Sequence, residues 1–386
     1  MPNAFAEFEL ASLLEGLSYA IDLAEGRNLQ HAQNVTLLAL QIGAKLGLTS
    51  QERDSLYQAG LVHDITVTSQ ERLCPLCEAI EEYNLQQHIP SLFQADAVIH
   101  GSLETWEGSG AQGLQGENIP LVSRLLTIAV SIENSVPEKR NFEQWRINVV
   151  ELLGQGKGLF FDPRLVDLVK SLLRDRRFCL DVLEPNPGEK IRHYRPTASI
   201  PFSSDLLLII GEIFAKFIDR KSRYTAHHSQ DVAKVAEFMA KKINLPEDAV
   251  RDVRLAGLLH DLGKVAIPNE ILEKPGKLSK EEFALIKNHP YFSAFILDKI
   301  PGLETISLWA AAHHERLDGS GYYLGITAKD LPLEARLIAV ADVYAALAAD
   351  RPYRPGLEHK EIGKIMREMV HSGHLDGQLV EVALVF

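Results

Sequence analysis

A stretch of 34 residues near the start of the chain recurs far downstream. HAQNVTLLALQIGAKLGLTSQERDSLYQAGLVHD (31–64) aligns without gaps on HSQDVAKVAEFMAKKINLPEDAVRDVRLAGLLHD (228–261). His31 pairs with His228, and His63-Asp64 with His260-Asp261, all at an offset of 197. Three further blocks follow in the same order: LETWEGSG (103–110) on HERLDGSG (314–321), IPLVSRLLTIAV (119–130) on LPLEARLIAVAD (331–342), and FDPRLVDLV (161–169) on LDGQLVEVA (375–383). Chance likeness between amphipathic helices does not hold register over four blocks. The chain is a tandem duplication, and its fold has to be built twice. Apolar residues recur at three- and four-residue spacing and β-branched alternation is nearly absent, so the class is all-α. The Pro- and Ser-rich stretch at 183–203 predicts a linker between residues 1–182 and 204–386.

The two copies differ in donor groups. The second carries His228, His260, Asp261, His289, His313, His314 and Asp342. One histidine on an apolar helix is usually a packed core residue. Seven imidazole and carboxylate donors in ordered company, with Lys264 and a Gly-rich turn, point to first-row metal ions that make a nucleophile from water at neutral pH. In the first copy, Ser102-Leu103 stand opposite His313-His314, Val130 opposite Asp342, and Thr66 and Val67 opposite Gly263-Lys264. His88 lies near the place of His289 without aligning cleanly. Gly108-Ser109-Gly110 survives there without the donors, which assigns the matching turn at 319–321 to folding rather than chemistry.

Composition excludes some classes. The net charge of −12, with no basic stripe, argues against a DNA or RNA binder but leaves room for a small phosphate ligand. No apolar run is long enough to span a bilayer and the N-terminus lacks signal-peptide character, so a cytoplasmic protein is expected. Three cysteines suit a reducing compartment. The Cys74/Cys77 pair has no second half to complete a zinc set and reads as two ordinary thiols at a turn.

From HDLGK (260–264) through KNHP (287–290), HHERLDGSGY (313–322) and LPLEARLIAVADVYAAL (331–347) to DRPYR (350–354), residues 222–384 resemble an HD-GYP domain of the HD phosphohydrolase superfamily. The first half resembles a degenerate copy of it. The resemblance implies tandem all-α HD-type domains and hydrolysis of 3′,5′-phosphodiester bonds in a cyclic dinucleotide, cyclic di-GMP or 3′,3′-cyclic GMP-AMP, to the linear dinucleotide by a metal-bridging hydroxide. It implies His228, His260, Asp261, His289, His313, His314 and Asp342 as ligands, with Asp261 bridging two ions about 3.5–4 Å apart. Lys264, Arg351 and Arg354 are expected at the substrate phosphates.

This chain departs from the family pattern twice. Tyr323 replaces the proline of the Gly-Tyr-Pro signature. Tyr224 stands where three-metal members carry a glutamate, which limits the expectation to two ions, iron or manganese. For the first copy two readings stay open. One is a regulatory or dimerising domain. The other is a single-metal nucleotidase using His31, His63 and Asp64, with Glu133 as one candidate for the fourth ligand. A sensing module that binds the cyclic dinucleotide and signals through protein partners is the alternative to an enzyme. A homodimer is compatible with the duplication.

Overall fold

The computed structural model describes residues 9–66, 90–137, 141–183, 187–196, 204–221, 227–350 and 355–386. Cys74, Cys77, His88, Tyr224, Arg351 and Arg354 lie outside them, as do residues 184–186 and 197–203 of the expected linker. No β-strand occurs among the described residues, where Lys157 and Phe161 form an isolated bridge. Helix α1 (Leu10–Ala24) is followed by α2 (His31–Gly43), α3 (Ser50–Val62), α4 (Pro90–Ser102), α5 (Leu121–Glu133), α6 (Phe142–Gly156) and α7 (Pro163–Leu172). The second copy contributes α8 (Ser204–Arg220), α9 (His228–Lys242), α10 (Glu247–Leu259), α11 (His289–Leu297), α12 (Glu304–Ala311), α13 (Leu333–Ala348), α14 (His359–His371) and α15 (Gly377–Ala383).

The repeat seen in sequence has a physical skeleton. Gln30 and His227, 197 residues apart, both adopt left-handed backbone, φ 75° and 68°, at the start of α2 and α9. α3 and α10 both run into a 3₁₀ turn, His63–Thr66 and Leu262–Ala266. Asp162 and Asp376 cap α7 and α15 by accepting backbone N–H groups. Each also pairs with an arginine two helices earlier, Arg124 of α5 at 2.5 Å and Arg336 of α13 at 3.4 Å.

The Gly-Ser-Gly turns repeat as well. Gly108 and Gly319 have φ of 88° and 80°, where a Cβ is strained. A Cβ on Gly110 or Gly321 would sit 2.7 or 2.5 Å from the Cα of Glu104 or Glu315. Those two buried glutamates accept loop N–H groups, Gln112 at 2.7 Å and Leu324 at 2.7 Å. The turn is a folding element in both copies.

The chain divides into two compact units, Met1–Gly26 with Pro201–Phe386, and Arg27–Ile200. Two boundaries expected from sequence need correction. Residues 183–203 are not simply a linker, because Gly188–Ile191 is helical, buries Ile191 completely and packs on α2. The expected first domain, 1–182, loses its first helix to the other unit. α1 packs on the 3₁₀ turn Leu262–Ala266 and on α11. Tyr19 meets Phe295 edge-on at 6.0 Å and lies under the Lys299 ammonium. Leu13, Leu14, Leu17 and Ile21 are 0–3% exposed, each such burial being worth about 1.5–3 kcal/mol. A helix from the start of the chain therefore braces the part of the second copy that carries the HD turn and His289.

Gly16 on α1 makes that brace possible, since a Cβ there would lie 2.2 Å from Ile300 Cγ1. Gly16→Val is expected to destabilise this unit by about 1–3 kcal/mol through overpacking, seen as an earlier urea transition of the full chain. An unchanged or later midpoint would contradict the packing of α1 described above.

Candidate metal centre

The HD turn sets the centre. α10 ends at Leu259, His260 follows as its C-cap, and the chain tightens into the 3₁₀ turn. The His260 ring donates Nδ1–H to the Gly257 carbonyl at 2.8 Å. His289 and His313 do the same to Ile286 (2.7 Å) and Ala310 (2.6 Å). In each ring the bond is to the carbonyl three residues earlier, which orients the ring and turns Nε2 inward. Ser293 locks the arrangement from α11. Its hydroxyl donates to His260 O at 2.8 Å and accepts from Gly263 N at 2.8 Å.

All seven expected ligands converge. Asp261 stands in the middle, and its two oxygens divide the others. Oδ2 faces His260 Nε2 at 3.2 Å and His228 Nε2 at 3.7 Å. Oδ1 faces His289 Nε2 at 3.3 Å and His313 Nε2 at 3.9 Å. Asp342 Oδ1 lies 3.1 Å from His228 Nε2. His289, His313 and His314 form one set of converging donors, and His228, His260 and Asp261 another. His260 Nε2 and Asp261 Oδ1 are buried and make no hydrogen bond among the described residues. Buried polar atoms left this way, all aimed at one spot, are what ligands to a cation look like without it.

Charge states fit the same reading. Burial drives His289 down to about 3 and His314 to about 4, and holds His313 well below the usual range. These imidazoles are neutral at any working pH. Burial works against the carboxylates, but His260 and Lys264 beside Asp261 hold it well below the carboxylate range, and His228 does so for Asp342. Burial would lower His260 too, yet Asp261 and Asp342 outweigh it and raise it to about 9. The neutral imidazoles of His289, His313 and His314 beside ionised carboxylates are the protonation pattern a metal site needs, while His260, held charged by its two carboxylates, would have to give up its proton to a bound cation.

Lys264 donates to Asp261 Oδ2 at 2.6 Å. His227, not counted as a ligand, is exposed. Sequence reading missed three neighbours. Tyr322 lies on His314 with ring centroids 4.7 Å apart, and Lys287 sits 5.2 Å above Tyr322. Asp219 of α8 accepts from the hydroxyl and N–H of Ser229, at 2.7 and 3.2 Å, beside His228. Burial pushes it up to about 6. Extending the 197-residue register nine places back pairs it with Asp22, which was a legible signal.

Known proteins decide the family. A model described as "HD domain" matches residues 212–379. The chain is 31% identical over 388 residues to 3′3′-cGAMP-specific phosphodiesterase 1 of Vibrio cholerae, covering 95% of this chain and 89% of that one. The chain belongs to the HD-GYP family of HD-domain phosphodiesterases. Other relatives include 3′3′-cGAMP-specific phosphodiesterase 3 of V. cholerae, 34% identical over 71% of this chain and 59% of its own. A cyclic di-GMP phosphodiesterase of Pseudomonas aeruginosa is 41% identical over 40% of this chain and 37% of its own. A crystal structure of a cyclic GMP-AMP specific phosphodiesterase of V. cholerae shares the fold, with TM-score 0.68 at 24% identity over 98% of this chain and 97% of that one. Among the described residues of this HD-GYP protein no helix is long and apolar enough to cross a membrane.

Gly263 shows how closely the HD-GYP scaffold is fitted. A Cβ there would fall 1.9 Å from the His289 carbonyl oxygen, a backbone atom that cannot step aside. Gly263→Ala is expected to push α11 off the HD turn, displacing His289. Metal retained per chain after desalting should fall at least severalfold, while circular dichroism keeps its helical signal. Full metal retention in the variant would contradict the fit.

Proposed function

We propose that the second copy holds two metal ions, iron or manganese, and hydrolyses a 3′,5′-phosphodiester bond of a cyclic dinucleotide to give the linear product. The observation that carries this is the division of donors across the two oxygens of Asp261. One carboxylate with imidazoles on both sides suits a bridging ligand between two cations. His228, His260 and Asp342 would serve one ion and His289, His313 and His314 the other. Bound there, the ions supply Lewis acidity toward phosphoryl oxygens and a nucleophile from water at neutral pH.

The chain's own residues do the rest. Imidazoles locked by carbonyls keep the donors in register without reorganisation. Lys264, with a side chain 22% exposed, presents an ammonium at the edge of the centre. With cations held at Asp261, that ammonium would be free to meet phosphate oxygens. Tyr322 and Lys287 give a π-face and a cation at the mouth, which suit a purine ring and its phosphate. Arg351 and Arg354 remain proposed phosphate contacts outside the described residues. Among cyclic dinucleotides, 3′,3′-cyclic GMP-AMP is the first choice. The relative that aligns across both copies bears that specificity in its name, whereas the cyclic di-GMP enzyme from P. aeruginosa aligns over 40% of the chain. The reading includes a cytoplasmic setting, where a buried free thiol such as Cys179 stays reduced.

The test is chromatography of products from metal-loaded protein given each cyclic dinucleotide. A linear dinucleotide is expected from wild type. Asp261→Ala should lose more than roughly 100-fold in rate together with its metal, exceeding the cost of an outer-sphere change. Lys264→Met should keep its metal and lose about 10²–10³-fold in kcat, the usual cost of one electrostatic stabiliser. Binding without turnover in fully metallated wild type would overturn the enzyme and leave a sensing module.

A further inference from the structure

The degenerate copy retains a set of donors that the proposed reaction does not use. His31, His63 and Asp64 are buried, 2%, 7% and 4% exposed, and their donor atoms converge within one coordination-sized space. The geometry follows its counterpart closely. The ring centroids of His31 and His63 are 5.3 Å apart, as are those of His228 and His260. His63 Nε2 lies 3.4 Å from its neighbouring carboxylate and His260 Nε2 3.2 Å from its own. His31 Nε2 lies 3.5 Å from Asp64, against 3.7 Å for His228 and Asp261.

We propose that the first copy is itself a metal site, binding one divalent first-row ion through His31 Nε2, His63 Nε2 and an oxygen of Asp64. Two imidazoles and a carboxylate select zinc, cobalt or iron over magnesium or calcium. The copy cannot take a second ion by the same route, because Ser102-Leu103 and Val130 stand where His313-His314 and Asp342 do.

Glu133, expected as a candidate fourth ligand, has a different place. Its carboxylate accepts a short hydrogen bond from His31 Nδ1, the ring nitrogen turned away from the cluster. His63 donates Nδ1–H to the Gly60 carbonyl at 2.8 Å, as His260 does to Gly257. Both rings are therefore oriented from outside, with Nε2 directed at Asp64. A carboxylate behind a histidine raises the basicity of the nitrogen in front, the arrangement found behind metal-bound histidines. Glu133 is a positioning residue rather than a ligand.

Arg27 lies 3.5 Å from Asp64 and donates to Asn134 at 3.0 Å. It does not argue against the ion, because Lys264 lies on Asp261 in the same manner in the copy with the full donor set. Its side chain is 36% exposed, so it has room to withdraw.

Full-length protein carrying Asp261→Ala and His313→Ala isolates the first site. After chelation, loading with cobalt(II) and desalting, about one cobalt per chain is expected, with the visible absorption of a protein-bound ion. Adding Asp64→Ala or His63→Ala should abolish both signals. Glu133→Gln should weaken cobalt affinity roughly 10–100-fold while leaving the saturated stoichiometry intact. Circular dichroism reports folding throughout. If the ligand variants fail to fold, Glu133→Gln in the wild-type chain decides by the affinity of its weakest site. No retained cobalt, cobalt that survives both ligand substitutions, or unchanged affinity in Glu133→Gln would each overturn the proposal.

Discussion

A carboxylate shut away from water is tolerated only where cations or strong donors surround it. Asp261 is 2% exposed, yet His260, His228, His289, His313 and Lys264 crowd it on both oxygens. Much of the second copy is arranged around that one charge. The turn after α10 points it inward, Ser293 stitches the turn to α11, and Gly263 lets the two backbones approach close enough for His289 to reach it. α1 then covers the outside of both elements. The proposed pair of ions needs a carboxylate reachable from two sides, and this packing supplies it.

The duplication separates what the scaffold needs from what the chemistry needs. Both copies keep the left-handed residue before the first histidine, the HD turn, the glutamate under a Gly-Ser-Gly loop and the arginine on a capping aspartate. Only the second keeps donors at the positions of His313, His314 and Asp342. A unit that folds with serine, leucine and valine there shows that those three residues are not required by the helical packing. Their presence in the second copy is best explained by what they bind.

Much of this was legible in the chain. Constant offset exposed the duplication in its first block, and the seven ligands expected from the family resemblance lie together. What periodicity omits is the partner. The leucines of α1 announce a buried face, but not that the face belongs to the other copy's unit. Glu133 was named as one candidate fourth ligand, yet that it meets His31, and at which ring nitrogen, depends on how α2 and α5 cross. Lys264 was placed one turn from Asp261, but its ion pair with that residue needed side-chain coordinates. Ser293 came into play only through tertiary contact, and Tyr322, though part of the family signature, showed its place against His314 only in the structure.

The central claim is that Asp261 is shared between two ions. Crystals of manganese-loaded protein, measured on both sides of the manganese absorption edge, test it directly. The account predicts two anomalous peaks in the second-copy cluster, each beside a different oxygen of Asp261. A single peak there, or peaks that leave Asp261 untouched, would contradict it.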